Sequence, residues 1–261
     1  MKSRTPTLRG LPVRTFLEHT FEVHGASTVG GRKNQEDSFR ASPRLVVVAD
    51  GMGGETGGKE ASETVARTLA SSEKKLFEKP GRVGNKLFEA IKEAHAALKQ
   101  EQAKHPRLSR MGSTVAAAAF DDEGNAHLAH CGDSRIYLLR GNQLLKLTRD
   151  HNVAQELREL GEKEEKALLY DHVLTRSLGA SEKANPDSQT VQLQHGDRIL
   201  AVSDGIKTLK EEEIKAVLLA HAGAKEAARE LVKKADEAGR AAGGGHDNIT
   251  AVVANYLLKK K

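Results

Sequence analysis

Cysteine is almost absent from this sequence: 261 residues contain one, Cys131. A single thiol excludes an internal disulfide framework and any zinc site built on several cysteines, and it fits a reducing compartment. Aromatic side chains make up only 3% of the chain, which leaves few platforms for stacking the bases of a single strand. No apolar run approaches the roughly 18 residues needed to span a bilayer. The N-terminal MKSRTPTLRGLPVRTF is basic but lacks the apolar stretch of a secretory signal. The eleven histidines are scattered, with no HExxH and no close ligand pair, which argues against a zinc enzyme. Residues 1–20 are expected to form a flexible basic leader, and the protein to reside in the cytoplasm.

The net charge is +5, from 41 basic and 36 acidic residues, so nucleic acid has to be weighed as a partner. The basic residues are mostly interleaved with acids along helical segments; unopposed clusters occur only in the leader and at Lys259-Lys260-Lys261. A solvated surface is the preferred reading, with neither nucleic acid nor membrane as a partner.

Short apolar runs rich in β-branched residues predict strands at 44–50, 113–120, 126–133, 135–139, 197–204 and 249–257. The stretch AHLAHCGD-SRIYLLRGNQLLKLT reads as consecutive antiparallel strands, with Gly141-Asn142 as the turn of the second hairpin. Apolar spacing of three and four predicts helices over 59–77, 85–104, 211–222 and 224–242. Paired helices and tight strand connections suggest an α/β (α+β) fold on mainly antiparallel sheet, in a single domain over 21–258 without internal repeats. The polar segment 153–172, bracketed by LTRDHN and LTRSLG, reads as an excursion: a surface helical hairpin, or a flap beside a site.

Carboxylates recur at the ends of these runs. LVVVADG places Asp50 before a glycine, LAVSDG repeats the grammar at Asp204, GDSR carries Asp133, GGGHDNIT carries Asp247, and GRKNQEDSF supplies Glu36 and Asp37. Each alone could be a turn or cap residue. Together on one rim they would repel one another unless cations neutralised them. Oxygen donors without Cys or clustered His select hard ions, Mg²⁺ or Mn²⁺.

The ordered series GGRKNQEDSF, VVADGMGGETGG, MGSTVAAAAF, CGDSRIYLL, LTRDHN, LTRSLGA, LAVSDGI and GGHDNITAVV resembles the metal-dependent protein serine/threonine phosphatases (PPM, type 2C), bacterial branch, from about residue 21 to 257. The resemblance implies a four-layer αββα sandwich, two antiparallel sheets flanked by antiparallel helix pairs. It also implies hydrolysis of phosphoserine and phosphothreonine in proteins by a metal-activated water, opposite a serine/threonine kinase, in a monomer. By the same resemblance Asp50 would bridge two metals and the Gly51 carbonyl would ligate the second. Asp204 and Asp247 would complete the first, and Glu36 would hold the second largely through water. Asp133 with Asp204 would bind a third, weaker ion, and Arg32 would grip the substrate phosphate. The glycines after Asp50 are expected to let backbone approach the metal. Met52 departs from the histidine proposed as general acid in animal relatives, as bacterial relatives commonly do. In the family the flap lies beside the active site.

Two other readings compete. GGETGGKE at 53–60 fits the GxxxxGK of a P-loop NTPase, but Glu60 replaces the Ser or Thr that must ligate Mg²⁺ and would repel phosphate. A catalytically inactive, phosphatase-like binding module is the second; degenerate members lose metal aspartates, whereas Asp50, Asp204 and Asp247 are all present.

Overall fold

The computed structural model describes residues 17–53 and 57–260. Among the described residues eleven strands fall into two sheets, and every pairing among them is antiparallel. The first sheet orders β1 (Leu17–Thr28), β11 (Ile249–Lys260), β10 (Arg198–Val202), β7 (Arg135–Arg140) and β8 (Gln143–Lys146). The second orders β2 (Asp37–Ala41), β3 (Leu45–Met52), β5 (Val115–Phe120), β6 (Asn125–Cys131) and β9 (Asp187–Gln192), with the short β4 (Gly112–Ser113) paired to β3.

Alternation along the central strands builds three apolar layers. In β3, Leu45, Val47 and Ala49 pack under α1 (Gly57–Leu76) and α2 (Val83–Lys104), while Val46 and Val48 face the other sheet. In β11, Ile249, Ala251 and Val253 pack under α5 (Glu211–Ala220) and α6 (Ala224–Ala241), while Val252, Ala254 and Tyr256 face inward. Strands buried on both faces need apolar residues at every position, which is why they read as continuous runs although the sheets are antiparallel. The helices present one apolar stripe each, such as Ala61, Val65 and Leu69 on α1. The result is the expected four-layer αββα sandwich. Among the described residues no helix is long and apolar enough to cross a membrane.

Three expectations need correction. The leader expected over 1–20 gives way at Leu17, where β1 begins and pairs with β11 as far as Lys260; residues 1–16 lie outside the described residues. The strands at 126–133 and 135–139 do not form a hairpin: β6 pairs with β5 and β9, β7 with β10 and β8. The chain crosses from one sheet to the other at Gly132 (φ +107°), where glycine supplies a left-handed conformation. Finally, β1, β2 and β9 lack a predicted counterpart. The Gly141-Asn142 turn between β7 and β8 is as expected.

Segment 153–172 carries α3 (Val153–Glu159) and α4 (Glu164–Leu168). Its ends are clamped together: Val153 N donates to Val173 O at 2.8 Å and Thr175 N to His151 O at 2.8 Å. The excursion therefore leaves and returns at one point, and its return brings His172, Val173 and Leu174 to the wall of a cleft.

Candidate active site

The cleft has a volume of about 890 Å³, and its lining contains Arg32, Glu36, Asp50, Gly51, Asp133, Asp204 and Asp247 together. The two sheets supply them from opposite sides. Asp50 stands near the end of β3, and Asp37 lies directly across from it in the β2–β3 register, with Glu36 one residue earlier. From the other sheet, Asp204 follows β10 and opens a 3-10 turn over Asp204–Thr208, and Asp247 stands two residues before the neighbouring β11. Asp133 sits in the crossover itself.

The crowding is visible in the protonation behaviour. Burial, and then the carboxylates of Asp37, Asp204, Asp133 and Asp247, push Asp50 well above the usual carboxylate range. Burial and Asp133 lift Asp204 to about 7, against partial relief from Lys207. Asp37 rises to about 6 through burial, although Ser203 and Thr250 each donate to its Oδ2 at 2.7 Å. Glu36 is raised by burial and by Asp247, with Arg32 opposing. The second oxygens of Asp37 and Asp204 are buried and find no donor among the described residues. Buried carboxylate oxygens without donors, in a field of like charge, fit a site for hard divalent cations.

The scaffold holds the ligating loops by hydrogen bonds from neighbouring side chains. Asn248 is 3% exposed. Its Oδ1 accepts from Glu36 N at 2.7 Å, and its Nδ2 donates to Val29 O at 2.8 Å and Asn34 O at 2.9 Å. Asn248 therefore braces the whole 29–36 loop, beyond capping its own turn. Thr114 exchanges two bonds with Asp50: Asp50 N donates to Thr114 Oγ1 at 3.0 Å, and Thr114 N to Asp50 O at 2.8 Å. Arg32 Nη2 donates to Asp247 Oδ2 at 2.7 Å in a pair open to solvent.

The glycine-rich stretch turns out to answer to backbone packing. A Cβ on Gly51 would collide with the Gly58 carbonyl and lie 2.8 Å from the Glu36 carbonyl, and one on Gly58 would lie 2.7 Å from Glu36 Oε2. Here β3, the Glu36 loop and the first turn of α1 meet without room for side chains, which is a nearer cause than approach to a metal. The same contacts disfavour a P-loop. Glu36 stands against the start of α1 and Glu60 lies in its first turn, where a nucleotide phosphate would meet two carboxylates. Residues 54–56 of that motif lie outside the described residues.

Two groups escaped the sequence reading as site residues. Asp37 counts among the rim carboxylates in the sequence without a role of its own, yet it lies opposite Asp50 in the strand register. Lys207 carried no signal at all, yet its Nζ donates to Asp133 Oδ2 at 2.8 Å and to Asp171 Oδ2 at 2.9 Å. Cys131, at the end of β6, is buried, with its thiol pushed up to about 12 by burial.

A separate trio, His130, His151 and Asp187, brings ligand-type atoms within 4.8 Å of one another. Its hydrogen bonds close on themselves. Gly132 N donates to His151 Nδ1 at 3.2 Å, which assigns the proton to Nε2, and Nε2 donates to Asp187 Oδ2 at 3.1 Å. His130 Nε2 donates to Arg149 O at 2.8 Å, and Arg176 pairs with Asp187 at 2.8 Å. Burial, then His130, lowers His151 to about 4. His130 and His151 are thus a neutral stacked pair, tied to the ionised Asp187, that buttresses the Gly132 crossover.

The comparisons agree with this geometry. The profile of the family described as "Protein phosphatase 2C" matches residues 25–242, ending short of Asp247. The serine/threonine protein phosphatase PstP of Mycobacterium tuberculosis (strain CDC 1551 / Oshkosh) is 34% identical over 230 residues, covering 87% of this chain and 43% of the relative. The chain thus spans less than half of that protein's length. Protein phosphatase PhpP of Streptococcus pneumoniae (serotype 2) is 30% identical over 250 residues, covering 90% of this chain and 97% of the relative. Among solved structures, the catalytic domain of PstP in complex with two manganese ions superposes with a TM-score of 0.82 at 32% identity, covering 92% of this chain and 99% of that one.

Proposed function

This chain belongs to the protein phosphatase 2C family, and from that membership we propose that it hydrolyses phosphoserine and phosphothreonine in proteins with two Mn²⁺ or Mg²⁺ ions. The observation that carries the proposal is the convergence of carboxylates from both sheets on one cleft, with buried oxygens lacking donors among the described residues. Asp50, Asp204, Asp247 and Glu36, with the Gly51 carbonyl, are the groups assigned to hold the ions. When bound, such a pair supplies a water of lowered pKa and positive charge opposite the phosphoryl oxygens.

The chain's own residues do the rest. Thr114 and Asn248 fix the backbone at Asp50 and Glu36, so the ligating groups are preorganised. The Arg32 guanidinium lines the cleft and can donate two parallel hydrogen bonds to a phosphoryl group, exchanging its pairing with Asp247. Met52 also lines the cleft but has no proton to give, so the leaving alkoxide is protonated by another group. No side-chain nucleophile is required, consistent with an inert Cys131. Phosphorylated proteins are the substrates in this reading, a serine/threonine kinase the opposing enzyme, and a cytoplasmic monomer the working form.

The test is turnover of p-nitrophenyl phosphate and of a phosphothreonine peptide with Mn²⁺, with Mg²⁺ and with EDTA. The expected result is metal-dependent hydrolysis that collapses in Asp204→Ala and requires far more peptide for half-saturation in Arg32→Ala. A folded, Mn²⁺-saturated protein that hydrolyses neither compound would overturn the proposal in favour of a binding module.

A further inference from the structure

We propose that the ammonium of Lys207 stands in for a third cation at Asp133 and Asp204, so that this chain takes two metal ions and has a fixed charge of its own in the third place. The inference rests on the two-metal reading of the same cleft.

Lys207 lies three residues after Asp204 within one 3-10 turn, a spacing that stacks the two positions on one side. Its side chain is 19% exposed, and its Nζ sits between Asp133, whose side chain is 4% exposed, and Asp171, at 2.8 and 2.9 Å. Both contacts are within charge-assisted N⁺–H···O⁻ distance, so the ammonium is held by two carboxylates at once. Asp204, without a direct contact, adds longer-range attraction. The cage is therefore one of carboxylate oxygens around a compact cation, the donor chemistry a hard divalent ion would choose. A divalent ion bound to Asp133 would have to share those oxygens with a buried positive charge, at a separation where low dielectric magnifies repulsion. Asp171 comes from the end of segment 153–172, so the ammonium also joins the flap to the site carboxylate.

An ordinary structural ion pair would leave metal stoichiometry untouched by substitution, and that separates the two roles. The protein is dialysed to equilibrium against graded Mn²⁺, and bound metal per chain is counted by mass spectrometry, with folding checked by circular dichroism. Wild type is expected to saturate at about two ions. Lys207→Ser is expected to gain an additional, weaker one, and Lys207→Ser combined with Asp133→Asn to lose it again. Asp133→Asn alone, which keeps Lys207, is expected to leave the wild-type count unchanged, and the wild-type count by itself keeps the inference falsifiable if Lys207→Ser does not fold. A third ion in wild type, or no gain in folded Lys207→Ser, overturns the inference and leaves the two-metal reading standing. A wild type that binds no Mn²⁺ removes both.

Discussion

Replacing Asn248 by alanine should both destabilise the protein and loosen its site, and the amount can be worked out from three hydrogen bonds. The amide accepts from Glu36 N and donates to Val29 O and Asn34 O while only 3% exposed. A net contribution of about 1 kcal/mol per bond gives about 3 kcal/mol, and more if any partner is left dry. For a domain of this size that corresponds to a fall of roughly 6–12 °C in melting temperature. Asn248→Asp sharpens the argument. It keeps an acceptor for Glu36 N but sets carboxylate oxygen against two carbonyls, beside Asp247 and Glu36. It should therefore melt no higher than the alanine variant at pH 8. Thermal melts followed by circular dichroism would measure both, and hydrogen exchange at the Glu36 amide would localise the effect. A change under about 2 °C in Asn248→Ala, with that amide still protected, would refute the reasoning.

The metal-free protein, in EDTA, should lose melting temperature as pH rises from about 5 to about 8. Asp37 and Asp204 have folded values lifted to about 6 and about 7 from an ordinary 3.8. The native state thus holds protons that the unfolded chain has released, and this stability is lost as pH passes through the folded values; a flat or rising profile would contradict it. Gly51→Ala should cost upwards of about 3 kcal/mol in a urea titration, because its Cβ meets the backbone of Gly58 and Glu36. Gly141→Ala is the control: nothing lies within 4 Å, and only the left-handed φ of +56° opposes it, worth about 1–2 kcal/mol. Equal losses at the two glycines would remove the packing explanation.

What the sequence could tell depended on where the signal sat. Asp50, Asp204 and Asp247 were legible because each ends or begins a strand buried on both faces, and such strands stand out as apolar runs. β9, with the sequence DSQTVQ, is a largely exposed edge strand carrying one apolar residue, so periodicity had nothing to register. β2 is short and β1 is polar and interrupted by Gly25, for the same effect. Gly-Asp-Ser at 132–134 looks like a hairpin turn, and only the pairing of β6 and β7 in different sheets identifies it as a crossover. Lys207 was illegible for another reason. Its meaning comes from Asp133 and Asp171, 74 and 36 residues away in the chain, and no local pattern distinguishes it from a solvated lysine.

The placement of the carboxylates across the seam between the sheets has a consequence for how the molecule comes apart. Glu36 and Asp50 belong to one slab, Asp204 and Asp247 to the other, so an ion shared among them, as proposed, would act as a rivet through both. Linkage then works in two directions. Prying the slabs apart disperses the ligands and releases the ion, and free ion at a hundredfold excess over its dissociation constant adds about 2.7 kcal/mol against that opening. Starving the cell of divalent cation would not merely idle such an enzyme. It would shorten the enzyme's life against proteases that act on the opened form, so that the metal supply would govern how much of the protein there is as well as how fast each copy works.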